Sequence, residues 1–170
     1  MGKSELETKV ARLRSRLAGL GEAVVAFSGG CDSTLLLALA AEEMERVVAV
    51  TASAPIFPAE ELQRARRIAR DLDVEHVVIN VEPFEIPGFT HNDPRRCYHC
   101  KRRMMSEVRR IAGDRGIEHV LEASQADDAG DYRPGMKAVA ELGLISPLLE
   151  AGLTGRDVRA LSAQMDLETA

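Results

Sequence analysis

A short apolar run, Ala23-Val24-Val25-Ala26-Phe27, meets a longer one, Leu35-Leu36-Leu37-Ala38-Leu39-Ala40-Ala41, across the polar loop that begins at Ser28. That join constrains the chain more than any other feature. The first run has the length and unbroken apolar character of a strand buried on both faces. The second is apolar nearly all round, as a helix enclosed by its neighbours is. A strand covered on both sides needs helices above and below it. The fold class that fits is α/β, with a parallel, doubly wound sheet.

The remaining periodicity continues the alternation. Leu6, Val10, Leu13 and Leu17 recur at helical spacing and predict an amphipathic helix ending at Gly19 or Gly21. Val47 to Val50 reads as a second strand, Pro58 to Leu72 as a helix with proline near its first turn, and Val74 to Val81 as a third strand. A loop with Pro83, Pro87 and Pro94 leads to a helix from about Arg96 to Ala112, and His119-Val120-Leu121 reads as a fourth strand. After a polar stretch from Ser124 to Tyr132, two shorter helices are expected, the last near Arg156 to Met165. Its start, Thr154-Gly155-Arg156-Asp157, has capping-box spacing with Asp in the place of Glu. With no repeat, low-complexity tract or linker, the 170 residues read as one domain.

Bulk properties exclude several classes. The composition, 45% hydrophobic and 29% charged, is that of a soluble chain with its own core. A net charge of -5 gives no global attraction to nucleic acid or anionic membrane. No stretch approaches the roughly 18 consecutive apolar residues of a spanning helix. Three cysteines and a charged N-terminal stretch to Arg16 fit a reducing compartment, so the expected location is cytoplasmic.

Ser28-Gly29-Gly30-Cys31-Asp32-Ser33 lies where α/β folds hold phosphate. Glycines let successive N–H groups point at one anion, and the following helix offers its dipole and unpaired amides. Ser28 and Ser33 add hydroxyls, while Asp32 suits either ordering the loop or holding magnesium. An ordinary strand-to-helix turn with a Ser or Asp cap uses the same residue types. The five matched positions together arise by chance in roughly one window per million. No Gly-Lys-Ser/Thr follows, so this is not a Walker A loop, nor is it Gly-x-Gly-x-x-Gly.

Two further segments carry candidate chemistry. Arg96-Cys97-Tyr98-His99-Cys100-Lys101 holds a Cys-x-x-Cys pair, readable as half a zinc site, part of an iron–sulfur site, a redox pair or inert thiols. Its place near a helix N-terminus, between Arg96 and Lys101, predicts lowered thiol pKa values. His91 and His99 read as ordinary surface or core histidines. The basic residues Arg95, Arg96, Lys101, Arg102, Arg103, Arg109 and Arg110 suit a solvated face, a phosphate-facing set or an RNA strip. The stretch from Glu122 to Gly135 follows the fourth strand, so it shares a sheet end with the first loop. There Ser124 suits phosphate or ribose, Asp127 and Asp128 suit magnesium, and Arg133 suits charge neutralisation, while a hydrophilic turn capping the next helix fits equally.

Ser28 to Ser33 resembles the Ser-Gly-Gly-x-Asp-Ser signature of the PP-loop ATP pyrophosphatases, a family that includes NAD synthetases, GMP synthetases, argininosuccinate synthetases and tRNA thiolation enzymes. The resemblance implies a Rossmann-like adenine nucleotide alpha hydrolase fold. It implies that the loop holds the β- and γ-phosphates of ATP while attack at the α-phosphorus expels pyrophosphate. Adenine would lie by Thr51, Ala52 and Ser53. With the segments Arg96 to Lys101, Ala123 to Asp128 and Ser146 to Thr154, the chain resembles the LarE-type sacrificial sulfur transferases of nickel-pincer cofactor synthesis along nearly its whole length.

Carried over by position, Ser28, Gly29, Gly30, Asp32 and Ser33 hold pyrophosphate, and Ser124 and Arg133 lie by the nucleotide. Asp32, Ser33 and Asp128 are the expected catalytic set. Cys97 and Cys100 are the candidates for an iron–sulfur cluster or reactive thiol. The implied cofactors are ATP and Mg2+, and the implied acceptor a small carboxylate or nucleotide. Three positions depart from that family: Cys31 at the variable loop position, and Ala123 and Gln125 where Gly-Ser-Asn is usual around Ser124. The C-terminal sulfur-transfer half of the family is not represented, which leaves a separate protein for that half, a truncation, or a minimal relative with another task. Homo-oligomerisation is a further expectation, and no membrane or nucleic-acid partner is expected. The competing functions are a tRNA-thiolating enzyme and a non-catalytic nucleotide-binding subunit.

Overall fold

The computed structural model describes residues 3–55, 57–82, 96–130 and 134–170. Within them the order is α1 (Lys3–Leu20), β1 (Glu22–Ala26), α2 (Cys31–Glu43), β2 (Arg46–Ser53), α3 (Ala59–Asp71), β3 (Glu75–Asn80), α4 (Arg96–Asp114), β4 (Val120–Leu121), a short 3-10 helix (Ala126–Gly130), α5 (Pro134–Glu141), α6 (Pro147–Glu150) and α7 (Gly155–Gln164). The strands form one parallel sheet in the order β3-β2-β1-β4.

Alternation along the strands explains why both faces are covered. Successive side chains of a strand point to opposite sides. Ala23, Val25 and Phe27, with Ala49 and Leu121, enter a core built with α1, α2, α3, α6 and α7. Val24, with Val48, Val50 and Val120, enters a second core with α4 and α5. The chain adds β2 and β3 on one side of β1, then crosses to add β4 on the other. Such a reversal opens a crevice beyond the carboxyl ends of the two diverging strands, here β1 and β4.

Three details differ from the sequence expectation. β2 runs from Arg46 to Ser53, longer at both ends than the apolar run alone suggests. β4 is only two residues, and Ile145 lies beside it, bridging to Leu121 in parallel. The chain closes with three helices after the 3-10 turn, because Pro147 at a first helical position starts the extra turn α6.

The expected capping box at α7 is present. Asp157 N donates to Thr154 Oγ1 at 3.2 Å, and Thr154 N donates to Asp157 Oδ2 at 3.0 Å. Lys9 Nζ lies 3.2 Å from the same carboxylate, tying α1 to α7. Burial opposes the charge on Asp157, but the Thr154 N–H and Lys9 outweigh it, and its pKa falls below the ordinary value. Among the described residues no helix is long and apolar enough to cross a membrane. The expected loop with Pro83, Pro87 and Pro94 lies outside the described residues, as do His91, Arg95, Asp131, Tyr132 and Arg133.

Candidate active site

The loop after β1 is braced from within and from below. Ser33 Oγ donates to Gly30 O at 3.2 Å and lies 3.0 Å from Ser28 Oγ, while Gly30 N donates to Ser28 Oγ at 3.3 Å. The two serine hydroxyls therefore frame the loop. Gly29 sits at φ +77, and a Cβ there would lie 3.1 Å from Ala65 Cβ of α3. Arg64 Nε donates to Gly29 O at 3.0 Å. Sequence reasoning missed Arg64 and Ala65. The signal was alanine at 65 and 69 in a charged helix, small residues one turn apart where the helix must come close. The first amides of α2 follow directly, with no intrahelical acceptor.

A cleft of about 1020 Å³ opens at this sheet end. It brings together Ser28, Gly30, Asp32 and Ser33, the β2 end at Thr51, Ala52 and Ser53, and Ser124 and Asp128 beyond β4. Met104, Met105 and Val108 of α4 supply an apolar wall, and Lys101 and Glu122 also border it. Gly29 is set behind the lining, against α3. Cys97 and Cys100 are not part of the lining.

Thr51 turns its hydroxyl away from any ligand. Its Oγ1 donates to Phe27 O at 2.7 Å and is 2.7 Å from His76 Nε2. One hydroxyl has one proton, so Nε2 of His76 must be the donor in the second bond. Burial, with Arg66 adding to it, lowers the His76 pKa below its ordinary 6.5. The unfolded chain therefore binds more protons on acidification than the fold does, and stability falls as pH drops below about 6.5. Thermal midpoints taken from about pH 7.5 down to about pH 5.5 should fall in the wild type and fall less in His76→Gln. Identical slopes in the two proteins would exclude His76 as a contributor.

The acidic residues separate into two roles. Asp32, in the first turn of α2, has its pKa raised by burial first and by Asp128 next, with Asp127 adding and Arg159 opposing. Asp128 borders the cleft and accepts from Gln125 N at 2.9 Å. Asp127, expected as a magnesium candidate, instead accepts from Gly155 N at 2.9 Å, at the start of α7. The capping alternative thus applies to Asp127, at α7 rather than at the next helix. Asp32 and Asp128, near enough that the Asp128 carboxylate helps raise the Asp32 pKa, make a hard-oxygen donor pair suited to a divalent cation. Among the described residues no group of three or more such side chains converges, so the phosphates of a nucleotide would complete the coordination.

The lowered thiol pKa expected of Cys100 is corrected. Cys97 is exposed, and Cys100 is half-buried against the core of α4 and α5. Burial first, then Cys97, push the Cys100 thiol up, outweighing Arg96 and Lys101. Flanking cations are visible in a sequence; burial is not. Cys31 lies elsewhere, its Sγ 3.5 Å from Ser162 Oγ. Two thiols fall short of the ligand set of an iron–sulfur cluster or a structural zinc. The basic helix is mostly a solvated face: Arg103 and Arg110 pair with Glu107, and Arg109 donates to Glu118 O at 2.8 Å.

Glu122 was not singled out in the sequence. It is 2% exposed at the exit of β4. Ser124 Oγ donates to it at 2.8 Å, so the Ser124 hydroxyl is turned to this carboxylate.

Comparison with known proteins agrees with this geometry. The profile of the family described as queuosine biosynthesis protein QueC matches residues 22–93. The chain is 37% identical over 164 residues to the pyridinium-3,5-bisthiocarboxylic acid mononucleotide synthase of Lactiplantibacillus plantarum, covering 95% of this chain and 59% of that protein. It is 34% identical over 163 residues to an uncharacterized protein of Synechocystis sp., covering 95% and 61%. The chain thus spans about three fifths of the length of these relatives. The NMN synthetase of Francisella tularensis shares the fold, with TM-score 0.74 at 18% identity, covering 95% of this chain and 71% of that one.

Proposed function

We propose that the chain is a PP-loop ATP pyrophosphatase domain that binds ATP with magnesium and adenylates a carboxylate acceptor, releasing pyrophosphate. The observation that carries the reading is the convergence in one cleft of the Ser28–Ser33 loop, the β2 end and the Asp32–Asp128 pair. In this reading the loop and the first amides of α2 take the β- and γ-phosphates. Ser28 and Ser33 hold the loop's shape rather than the ligand, and Gly29 lets it lie flat on α3. Ala52 and Ser53 flank the adenine edge. Asp32 and Asp128 would hold the magnesium ion that accompanies ATP, and the ion would supply positive charge beside the phosphates. An acceptor carboxylate oxygen attacks the α-phosphorus. The bond from that phosphorus to the bridging oxygen breaks, and pyrophosphate leaves with the electron pair.

The relative's name identifies a bisthiocarboxylic acid product. The corresponding acceptor here is a pyridinium dicarboxylate mononucleotide, activated for sulfur transfer in nickel-pincer-type cofactor synthesis. Residues 1–170 act as one nucleotide-activating domain, and a C-terminal half or a separate protein would bring the sulfur donor. Cys97 and Cys100 do not fit a cluster by themselves, so no step runs through one.

The test is pyrophosphate release from ATP and magnesium by the wild-type chain, with and without the pyridinium dicarboxylate mononucleotide. Release that depends on the acceptor is expected. Formation of ADP and orthophosphate would exclude adenylation.

A further inference from the structure

None of the roles above uses Glu122, although it is 2% exposed and borders the cleft. A buried carboxylate without partners costs several kcal/mol, so its partners define what it is for. They come from three separate parts of the fold. Ser124 N donates at 3.1 Å and Ser124 Oγ at 2.8 Å, from the segment leaving β4. Ser146 Oγ donates from the turn before α6. Lys101 Nζ of α4 lies 3.5 Å away.

Lys101 is the cationic member of this network at the cleft. Its side chain is 31% exposed and borders the cleft. The stem passes close to Gly135, where a Cβ would meet its Cγ at 3.6 Å. An ammonium has three donors in fixed tetrahedral directions. The ion pair with Glu122 spans 3.5 Å, and the same side chain borders the cleft. β4 is the strand next to β1, with Val25 paired to Leu121. Glu122 therefore leaves the sheet across the crevice from the phosphate loop.

We propose that Glu122 is a positioning residue: anchored by Ser124 and Ser146, it holds the Lys101 ammonium at the cleft wall to bind an anionic oxygen group of the ligand. The group is a phosphate of ATP or the carboxylate of the acceptor. The proposal rests on the adenylation reading above and adds a residue pair to it.

The test is a double-mutant cycle on the full chain with Glu122→Gln, Lys101→Met and both together, each checked for folding by thermal unfolding. Two quantities are read: the dissociation constant of magnesium–ATP by calorimetry, and the acceptor KM and kcat in pyrophosphate release. Lys101→Met should weaken one of them about tenfold or more, the effect of losing a charge-assisted bond. Glu122→Gln should weaken the same quantity, and the double variant should be no worse than Lys101→Met. A shift in the ATP constant assigns a phosphate; a shift in acceptor KM alone assigns the carboxylate. If Glu122→Gln does not fold, Ser146→Ala loosens the same anchor and should move the same quantity in the same direction. Multiplying effects, or no effect of Lys101→Met, would overturn the proposal while leaving adenylation standing. A wild-type chain that neither binds ATP nor releases pyrophosphate would overturn both.

Discussion

Replacing Gly29 with alanine is expected to cut magnesium–ATP affinity about a hundredfold, the scale of a misplaced binding loop. Two costs act at this position. A side chain at φ +77 is strained by about 1–2 kcal/mol. Its Cβ would also sit 3.1 Å from Ala65 Cβ and 3.2 Å from Ala65 Cα. Ala65 is fully buried in α3, and crowding of this kind costs about 1–3 kcal/mol. The loop can relieve both only by lifting off α3, which breaks the Arg64 bond and moves the amides. Gly21→Ala is the control, because Gly21 has φ +75 but nothing within 4 Å of its Cβ. It should cost stability through strain alone and leave ATP binding unchanged. Calorimetric titration with ATP, alongside thermal unfolding of both variants, separates the two costs. Adding Ala65→Gly should restore part of the affinity lost in Gly29→Ala.

Asp32→Ala is expected to reduce pyrophosphate release about a thousandfold, as loss of a main charge-stabilising group does. Stability should not fall with it. Burial, Asp128 and Asp127 all raise the Asp32 pKa, so the fold holds this charge at a cost and loses little when it goes. The same shift sets a pH dependence. A raised pKa means that the carboxylate form is lost at a higher pH than the ordinary 3.8, as pH falls through the raised value. Activity measured with Asp32 intact should therefore decline on acidification earlier than an ordinary carboxylate would produce. Retained pyrophosphate release in Asp32→Ala would remove this residue from the reaction.

The parts of the fold that could be read in the sequence are those where local pattern and global burial ask for the same residues. A strand covered on both sides must be apolar at every position, and Ala23 to Phe27 is. The loop from Ser28 to Ser33 is legible because glycine and hydroxyl residues at a strand-to-helix join have few other uses. Where partners are distant along the chain, the pattern is silent. Val120-Leu121 is short because Ile145 completes its pairing from a later segment. Gly29 and Gly30 look alike in sequence, yet only Gly29 lies at positive φ against Ala65. Asp127 and Asp128 are neighbours of one type, yet one caps α7 and the other faces the cleft. Glu122 reads as the first polar residue of a loop, and only the approach of Ser146 and Lys101 makes it a buried anchor. Cys100 reads as an activated thiol beside cations, and burial in the core of α4 and α5 reverses that.

Adenylation is tested most directly by following an oxygen atom. The pyridinium dicarboxylate mononucleotide is prepared with heavy oxygen in its carboxylates and incubated with the wild-type chain, ATP, magnesium and a sulfide or thiol nucleophile. If a carboxylate oxygen attacks the α-phosphorus, that oxygen remains on phosphorus when the nucleophile takes the acyl group. Mass spectrometry should then find one heavy oxygen in the AMP and none in the pyrophosphate. Unlabelled AMP, or ADP with orthophosphate in its place, would contradict the account.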